Sequence, residues 1–219
     1  MSRVKVINGS KRILVIAPHG GGPTDSNTAM MTEIIANEIG CYAVINEKWI
    51  RNKKFDHHNN EANCNSLKHC NKSPLREEFL DQIDLIKKRL GVVYIFILHG
   101  MTDLKGADTV VGWGRGNPDK LTSDKLIKDR FLVCLDNEGF TPCEGAVGGK
   151  YSGWDDDNLN QLYQGDKNVS SLQLEVAFSL RSAASLARKT ACRIAEAIDR
   201  CCNFNRKVVI PKDFKWLEV

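Results

Sequence analysis

The sequence of 219 residues contains no uninterrupted apolar run of the roughly 18 residues that a membrane-spanning helix needs. Residues 1–5 also lack the apolar core of a secretory signal. Charge of one sign is not concentrated either, because 31 basic residues stand against 27 acidic ones and the formal net charge is +4. These absences argue against a membrane or a nucleic acid as partner, and they predict a soluble, cytoplasmic protein.

The chain has eight cysteines but no zinc-ribbon spacing among them. Without a secretory signal, and in a chain long enough to form its own core, we expect thiols and not disulfides. One polar segment, residues 47–73, carries five potential metal ligands: His57, His58, Cys64, His69 and Cys70. The segment fits either a metal-binding cluster or a polar loop with scattered thiols, since structural zinc sites favour paired ligands about two to four residues apart.

The apolar periodicity indicates alternating strands and helices. Apolar runs predict four strands, over residues 13–17, 41–46, 92–98 and 170–178. Helical spacing of apolar residues predicts four helices, over residues 27–39, 74–90, 123–138 and 183–201. The stretches 47–73, 101–118 and 142–168 are predicted as loops. This order predicts a single α/β domain over residues 1–219, a three-layer α/β/α sandwich with a mostly parallel mixed sheet.

Two of the predicted strands lead into a histidine followed by glycine. The first strand is followed by His19 and three glycines, and the strand over residues 92–98 runs into His99 and Gly100. In open α/β sheets, ligands bind at the carboxyl ends of the parallel strands. If these two strands are neighbours, both imidazoles can meet one ion, so the repeated pattern predicts a metal site.

A catalytic zinc site takes about three protein ligands and keeps one position open for water. Asp25, which follows the glycines, is the candidate for the third ligand, and Asp103 is the reserve candidate. Asp25 or Ser26 could instead cap the helix that begins near residue 27. Imidazole and carboxylate ligands suit zinc and also other divalent ions.

Glu175 lies within an otherwise apolar strand, where an unpaired carboxylate is costly to bury. Burial would raise its proton affinity, as suits a general acid/base. The alternative is a structural ion pair with Arg181. A carboxylate on the substrate would need a planar, bidentate cation, for which Arg51, Arg115 and Arg181 are the candidates; Arg115 comes first because it lies among glycines.

The glycines at 20–22 also fit a second class of function, a phosphate or nucleotide-binding module at a helix N-terminus. The chain lacks the Lys-Ser/Thr that closes a Walker loop, and it lacks the G-x-G-x-x-G spacing of a dinucleotide site. A metal site and a phosphate site therefore stay open as alternatives for this loop.

Four motifs together resemble the N-formylglutamate amidohydrolase family. They are Ala-Pro-His-Gly-Gly-Gly at 17–22, Leu-His-Gly-Met at 98–101, Gly-Trp-Gly-Arg-Gly at 112–116 and Leu-Gln-Leu-Glu-Val at 172–176. The resemblance covers residues 12–181, in the same order. This family is related to the phage-type poly-γ-glutamate hydrolases and, more distantly, to zinc carboxypeptidases and succinylglutamate desuccinylases.

The resemblance implies a zinc hydrolase of amide bonds with a phosphorylase/hydrolase-like α/β/α fold, acting on an N-acyl amino acid or a γ-glutamyl-type peptide. It implies His19, Asp25 and His99 as metal ligands and Glu175 as the general acid/base for metal-activated water, although Asp25 is offset from the acidic ligand of the family. The family phrase Asp-x-Asn-Arg is replaced by Phe-Asp-His-His-Asn-Asn at 55–60, which leaves a substrate other than formylglutamate open. The unusual segment 47–73 also suggests a non-catalytic relative that keeps only the fold.

Overall fold

The computed structural model describes residues 4–20, 25–47, 63–67, 74–211 and 216–219. Seven strands are formed: β1 (Val4–Ile7), β2 (Ile13–Ala17), β3 (Tyr42–Asn46), β4 (Tyr94–Met101), β5 (Thr109–Gly112), β6 (Pro142–Glu144) and β7 (Ser170–Ala177). Four α-helices accompany them: α1 (Thr28–Ile39), α2 (Pro74–Leu90), α3 (Lys125–Asn137) and α4 (Ala184–Cys202). Short 3-10 helices cover Leu159–Tyr163 and Phe178–Leu180.

All seven strands belong to one sheet, in the order β1-β3-β2-β4-β7-β5-β6. The four strands β3, β2, β4 and β7 run parallel to one another at its centre. β1 is antiparallel to β3, and β5 is antiparallel to β7 but parallel to β6. The predicted α/β class with a mostly parallel mixed sheet is therefore confirmed.

Side chains that alternate along β2 enter two different cores. One core contains Ile13, Val15 and Ala17 together with buried residues of α1, α3 and α4. The other contains Leu14 and Ile16 together with buried residues of α2. Because successive side chains of a strand point to opposite faces, helices cover the sheet on both sides, as a three-layer sandwich requires.

The structure differs from the predicted strands at four places. β1, β5 and β6 fall outside the predicted strands, and β5 and β6 lie in or at the edge of stretches predicted as loops. Each has only three or four residues, which is too short to show an alternating pattern. β4 continues through His99 to Met101 instead of ending at residue 98. His99 therefore has the fixed backbone of a strand interior.

Two further expectations concern membrane-spanning helices and the state of the cysteines. Among the helices in the described ranges, none combines the length and the apolar character that a membrane crossing demands. The seven cysteines in the described part of the chain are free thiols, as predicted.

Candidate metal centre

Neighbouring parallel strands bring the two predicted histidines together. β2 and β4 are paired in register, and His19 follows the end of β2 by two residues while His99 lies near the end of β4. Their ring centroids are 5.1 Å apart. A Cβ at Gly20 would lie 2.9 Å from both the Ala29 side chain and the Asn46 backbone oxygen. Glycine beside His19 therefore lets the chain turn close to α1 and β3.

The carboxylate of Asp25 lies between the two imidazoles. Its Oδ2 is 3.3 Å from Nδ1 of His19 and 3.1 Å from Nδ1 of His99. Asn27, with a positive φ of 68°, occupies the N-cap position of α1, so the suggestion that Asp25 or Ser26 caps this helix is not what the structure shows. Asp25 stabilises the first turn only through its backbone carbonyl, which accepts hydrogen bonds from Thr28. Its side chain is thus left to face the histidines.

The three side chains form a donor set that fits a divalent cation. One ligand atom from each of His19, Asp25 and His99 lies within 4.8 Å of the others, and all three residues are buried. Two imidazole nitrogens and one carboxylate oxygen are a ligand set that zinc accepts, and other first-row metals accept it as well.

A neighbouring amide orients the imidazole of His19. Its Nε2 lies 2.7 Å from Oδ1 of Asn63, and that oxygen also accepts a hydrogen bond from the backbone N–H of Asn65. Since an amide oxygen can only accept, Nε2 is the nitrogen that donates to Asn63, and Nδ1 is the nitrogen that faces Asp25. Such an outer partner is typical of metal-binding histidines.

The electrostatics of the centre favour an ionised Asp25 carboxylate beside the two imidazoles. Burial is the largest single influence on the pKa of Asp25, and it raises that pKa. The hydrogen bonds with His19 and His99 and the charges of these two residues together outweigh burial, so the pKa of Asp25 lies well below its usual range. Burial lowers the pKa of His99, and the hydrogen bond with Asp25 and the charges of Glu175 and Asp25 raise it above its usual value. Nε2 of His99 is buried and has no hydrogen-bond partner among the residues that the structure describes.

Glu175 is the register partner of His99 in the parallel pair of β4 and β7, so the two side chains lie on the same face of the sheet. Glu175 is buried, and its Oε1 accepts a hydrogen bond of 2.9 Å from Nε2 of Gln173. Burial is the main reason that the pKa of Glu175 is raised. In the described part of the chain no ion pair joins Glu175 to Arg181, which was the alternative role for this carboxylate.

Arg181 is fully buried and connects three backbone segments. It donates hydrogen bonds to the carbonyl oxygens of Val176, Met101 and Ser26. A Cβ at Gly100 would lie only 2.2 Å from its guanidinium carbon. Because Gly100 and His99 face opposite sides of β4, Arg181 supports this strand from the side away from His99.

Arg115 was also predicted to bind substrate, and it is held by two carboxylates. Arg115 pairs with Glu144 at 3.2 Å and Glu218 at 2.9 Å. Arg51 is outside the described residues. The reserve ligand Asp103 accepts a hydrogen bond from the backbone of Ser179, and it is not part of the metal cluster found in the described residues.

A cavity of about 690 Å³ opens over these groups. Its described lining includes the three candidate ligands, Glu175, Arg181 and a set of polar residues: Asn63, Asn65, Ser66, Lys150, Tyr151, Asp155, Asp157, Asn158 and Gln173. Of the basic side chains in this lining, Lys150 is exposed and Arg181 is buried. The cavity is large enough for a small-molecule substrate.

Sequence reasoning did not assign roles to Asn63, Gln173 or Asn158. Asn63 lies in the polar segment 47–73, where nothing in the sequence distinguishes it from its neighbours. Gln173 had a usable signal, since it precedes Glu175 by two residues and so shares its face of β7. The remaining potential ligands of that segment, His57, His58, His69 and Cys70, lie outside the described residues, and so do residues 21–24 of the glycine loop. The alternative metal cluster and the phosphate site therefore stay predictions.

No family model and no curated sequence matches the chain. Solved structures with the same fold include an N-formylglutamate amidohydrolase from Ralstonia eutropha (TM-score 0.60, 15% identity, 91% of this chain and 99% of that chain). A metallo-carboxypeptidase from Pseudomonas aeruginosa (TM-score 0.58, 12% identity) covers 89% of this chain, which spans 59% of that chain. A bacteriophage poly-γ-glutamate hydrolase has a TM-score of 0.51 at 13% identity, over 90% of this chain and 88% of that chain. The similarity to these groups suggested by the motifs is confirmed for the fold.

Proposed function

We propose that the protein is a metal-dependent hydrolase, with zinc as its ion, that cleaves an amide bond of an N-acyl amino acid or a γ-glutamyl-type peptide. The observation that carries this proposal is the convergence of His19, Asp25 and His99 on one point beside the buried carboxylate of Glu175. The fold adds support, because solved structures that share it include an amidohydrolase, a poly-γ-glutamate hydrolase and a metallo-carboxypeptidase.

When bound, a zinc ion supplies a Lewis acid that polarises a carbonyl oxygen and lowers the pKa of water at its open position. His19, Asp25 and His99 would hold the ion. Asn63 accepts a hydrogen bond from Nε2 of His19, so that Nδ1 is the nitrogen that would bind the ion. Arg181 fixes the ends of β4 and β7, which carry His99 and Glu175.

Glu175 acts as the general acid/base in this proposal. Its raised pKa makes the carboxylate a stronger base toward the attacking water, and the protonated carboxyl then returns that proton to the leaving amine. A general base must lie within reach of the proton that it removes, and the register of Glu175 with His99 supplies that closeness. No other buried carboxylate faces this cavity in the described ranges except the ligand Asp25.

A carboxylate on the substrate needs a cation at the cavity. Arg51, Arg115 and Arg181 remain the arginines predicted for this role, but Arg115 pairs with two glutamates and Arg181 bonds backbone carbonyls. Lys150 lines the cavity and is exposed. We therefore add Lys150 as a contact for the substrate carboxylate.

Element analysis of the purified protein tests the metal centre without a known substrate. We expect about one divalent ion per chain in the wild type and loss of that ion in His19→Ala. His69→Ala is the matched control, because it removes a histidine of the alternative cluster in residues 47–73. An ion that is retained in His19→Ala and lost in His69→Ala would contradict the proposed site.

Activity is tested on a set of N-acyl amino acids and γ-glutamyl peptides. We expect hydrolysis by the metal-loaded protein and none after removal of the ion with a chelator. Full activity of metal-free protein would overturn the proposal. A bound ion without turnover of any of these substrates would favour a non-catalytic relative, and heat protection by a nucleotide alone would favour the phosphate-binding alternative.

A further inference from the structure

The carboxylate of Glu175 is held by a second buried side chain on the same strand. Gln173 is 2% exposed and precedes Glu175 by two residues on β7, so both side chains point to the same face of the sheet. Nε2 of Gln173 donates a hydrogen bond of 2.9 Å to Oε1 of Glu175. The orientation of the Gln173 amide is itself fixed by a further side chain.

Asn158 fixes that orientation from the other side. Its Nδ2 donates a hydrogen bond of 3.0 Å to Oε1 of Gln173, and its Oδ1 accepts one of 2.8 Å from the backbone N–H of Asn160. An ionised carboxylate can only accept, whereas an amide both donates and accepts. The hydrogen bonds therefore run in one direction, from the backbone of Asn160 through Asn158 and Gln173 to Glu175.

This chain of hydrogen bonds makes the two oxygens of Glu175 different. Oε1 is occupied by Gln173, while Oε2 has no hydrogen-bond partner in the part of the chain that the structure describes. Glu175 also lines the cavity. We propose that Asn158 and Gln173 are positioning residues that hold Glu175 by Oε1, so that Oε2 is the oxygen that exchanges the proton with water and the leaving group. This inference rests on the role of Glu175 in the proposed function.

The segment that contains Asn158 is also connected to the metal centre. Residues 63–67 and residues 157–159 are joined by backbone hydrogen bonds from Leu67 to Asp157, at 2.7 Å, and from Leu159 to Asn65, at 2.9 Å. The first segment holds His19 through Asn63, and the second holds Glu175 through Asn158 and Gln173. A metal ligand and the general acid/base are thus oriented by two segments that are bonded to each other.

Gln173→Met tests the inference, because methionine keeps the length of the side chain and removes both hydrogen bonds. We expect kcat to fall by about 10- to 100-fold, the usual cost of losing an outer-shell partner, with KM and bound metal unchanged. Ser171→Ala is the matched control. Ser171 lies on the same face of β7, and its hydroxyl donates a hydrogen bond of 2.8 Å to Asn160. Ser171→Ala therefore removes a hydrogen bond between β7 and the segment around Asn160, but it removes no bond to Glu175.

If Gln173 had only a structural role, Gln173→Met would lower stability and would not lower kcat selectively while KM stays unchanged. The inference is overturned if kcat of Gln173→Met stays within twofold of the wild type, or if Ser171→Ala lowers kcat equally. Asn158→Ala gives a second route should Gln173→Met not fold. It should lower kcat, and in a Gln173→Met background it should lower kcat no further, because both residues act through one chain of bonds.

Hydrogen exchange of the Gln173 side-chain amide tests the bonds without any activity. We expect slow exchange in the wild type by NMR, faster exchange in Glu175→Ala and Asn158→Ala, and unchanged exchange in Ser171→Ala. An exchange rate in the wild type like that of an exposed amide would overturn the inference. If the wild type hydrolyses none of the substrates, the proposed function fails, whereas this measurement still decides whether Glu175 is held in this way.

Discussion

Two groups of polar and ionisable side chains differ in how completely their buried atoms are paired. The first, which we call the ion-pair cluster, consists of Trp113, Arg115, Lys128, Asp129 and Glu144. In it Glu144 accepts bonds from Trp113, Arg115 and Lys128, and Lys128 also pairs with Asp129 at 2.6 Å. The second group is the candidate metal centre with Glu175, where Nε2 of His99 has no partner among the described residues.

The difference separates a structural role from a functional one. In the ion-pair cluster every buried side-chain donor and acceptor that the structure describes has a partner, and none of its residues lines the cavity. The candidate metal centre concentrates carboxylate and imidazole groups at an open cavity and leaves some of their atoms without protein partners. Buried polar groups are normally satisfied by the fold itself, so incomplete pairing at a cavity indicates atoms kept for a ligand.

Among the substitutions that compare the two groups, Glu175→Gln should have the largest effect, and that effect is on kcat. We expect kcat to fall by about 10²- to 10⁴-fold, the usual contribution of a general acid/base, with the metal retained. The free energy of unfolding should stay the same or rise, because a buried carboxylate without an ion-pair partner is costly. Steady-state kinetics, element analysis and denaturant unfolding measure the three quantities.

Glu144→Gln is the matched control for that substitution, since Glu144 is also a buried strand carboxylate. It should lose stability, because Lys128 is left without one of its two carboxylates, and it should keep kcat per folded molecule. Equal losses of kcat in the two variants would remove the functional distinction between the groups.

The sequence predicted which candidate ligands lie together better than it predicted their surroundings. His19 and His99 each follow an apolar run and precede glycine, and a sheet that is parallel at this point brings such positions together. Asp25 was ambiguous because an acidic residue before a helix is as often a cap as a ligand. The position of Asn27 at the N-cap and the contacts of the Asp25 carboxylate with both imidazoles distinguish the two roles.

The ion-pair cluster could not have been predicted in the same way. Its members come from β6, α3 and the loop after β5, and both β5 and β6 are too short to give a periodic signal. Arg115 stood out because it lies among glycines, but glycines also permit the close backbone packing that is seen there: a Cβ at Gly114 would lie 1.9 Å from the carbonyl oxygen of Lys120. The partners of Arg115, Glu144 and Glu218, are distant from it in the chain, so the residues around Arg115 do not reveal them.

Lys128→Met tests the structural side of the comparison. Removing one partner of a buried ion pair costs about 3–5 kcal/mol, and Lys128 is 3% exposed between Asp129 and Glu144. We expect a fall of that size in the free energy of unfolding and no change in metal content. Lys125→Met is the control, because Lys125 bonds the same Asp129 from an exposed position and should cost about 0.5 kcal/mol. Equal costs for the two lysines would show that the cluster is not a buried network.

Arg115→Ala should have the smallest effect, and it decides between two roles for this arginine. If Arg115 serves only the ion-pair cluster, its half-exposed bonds to Glu144 and Glu218 are worth about 0.2–1 kcal/mol of stability, and kcat/KM should stay within about twofold. If it binds the substrate carboxylate, as its position among glycines predicts, loss of a charge-assisted bond should lower kcat/KM about tenfold or more. Lys150→Met in the cavity lining is the comparison variant. A fall in kcat/KM for Lys150→Met alone would place carboxylate recognition at the cavity, and a fall for Arg115→Ala alone would extend the substrate site to the ion-pair cluster.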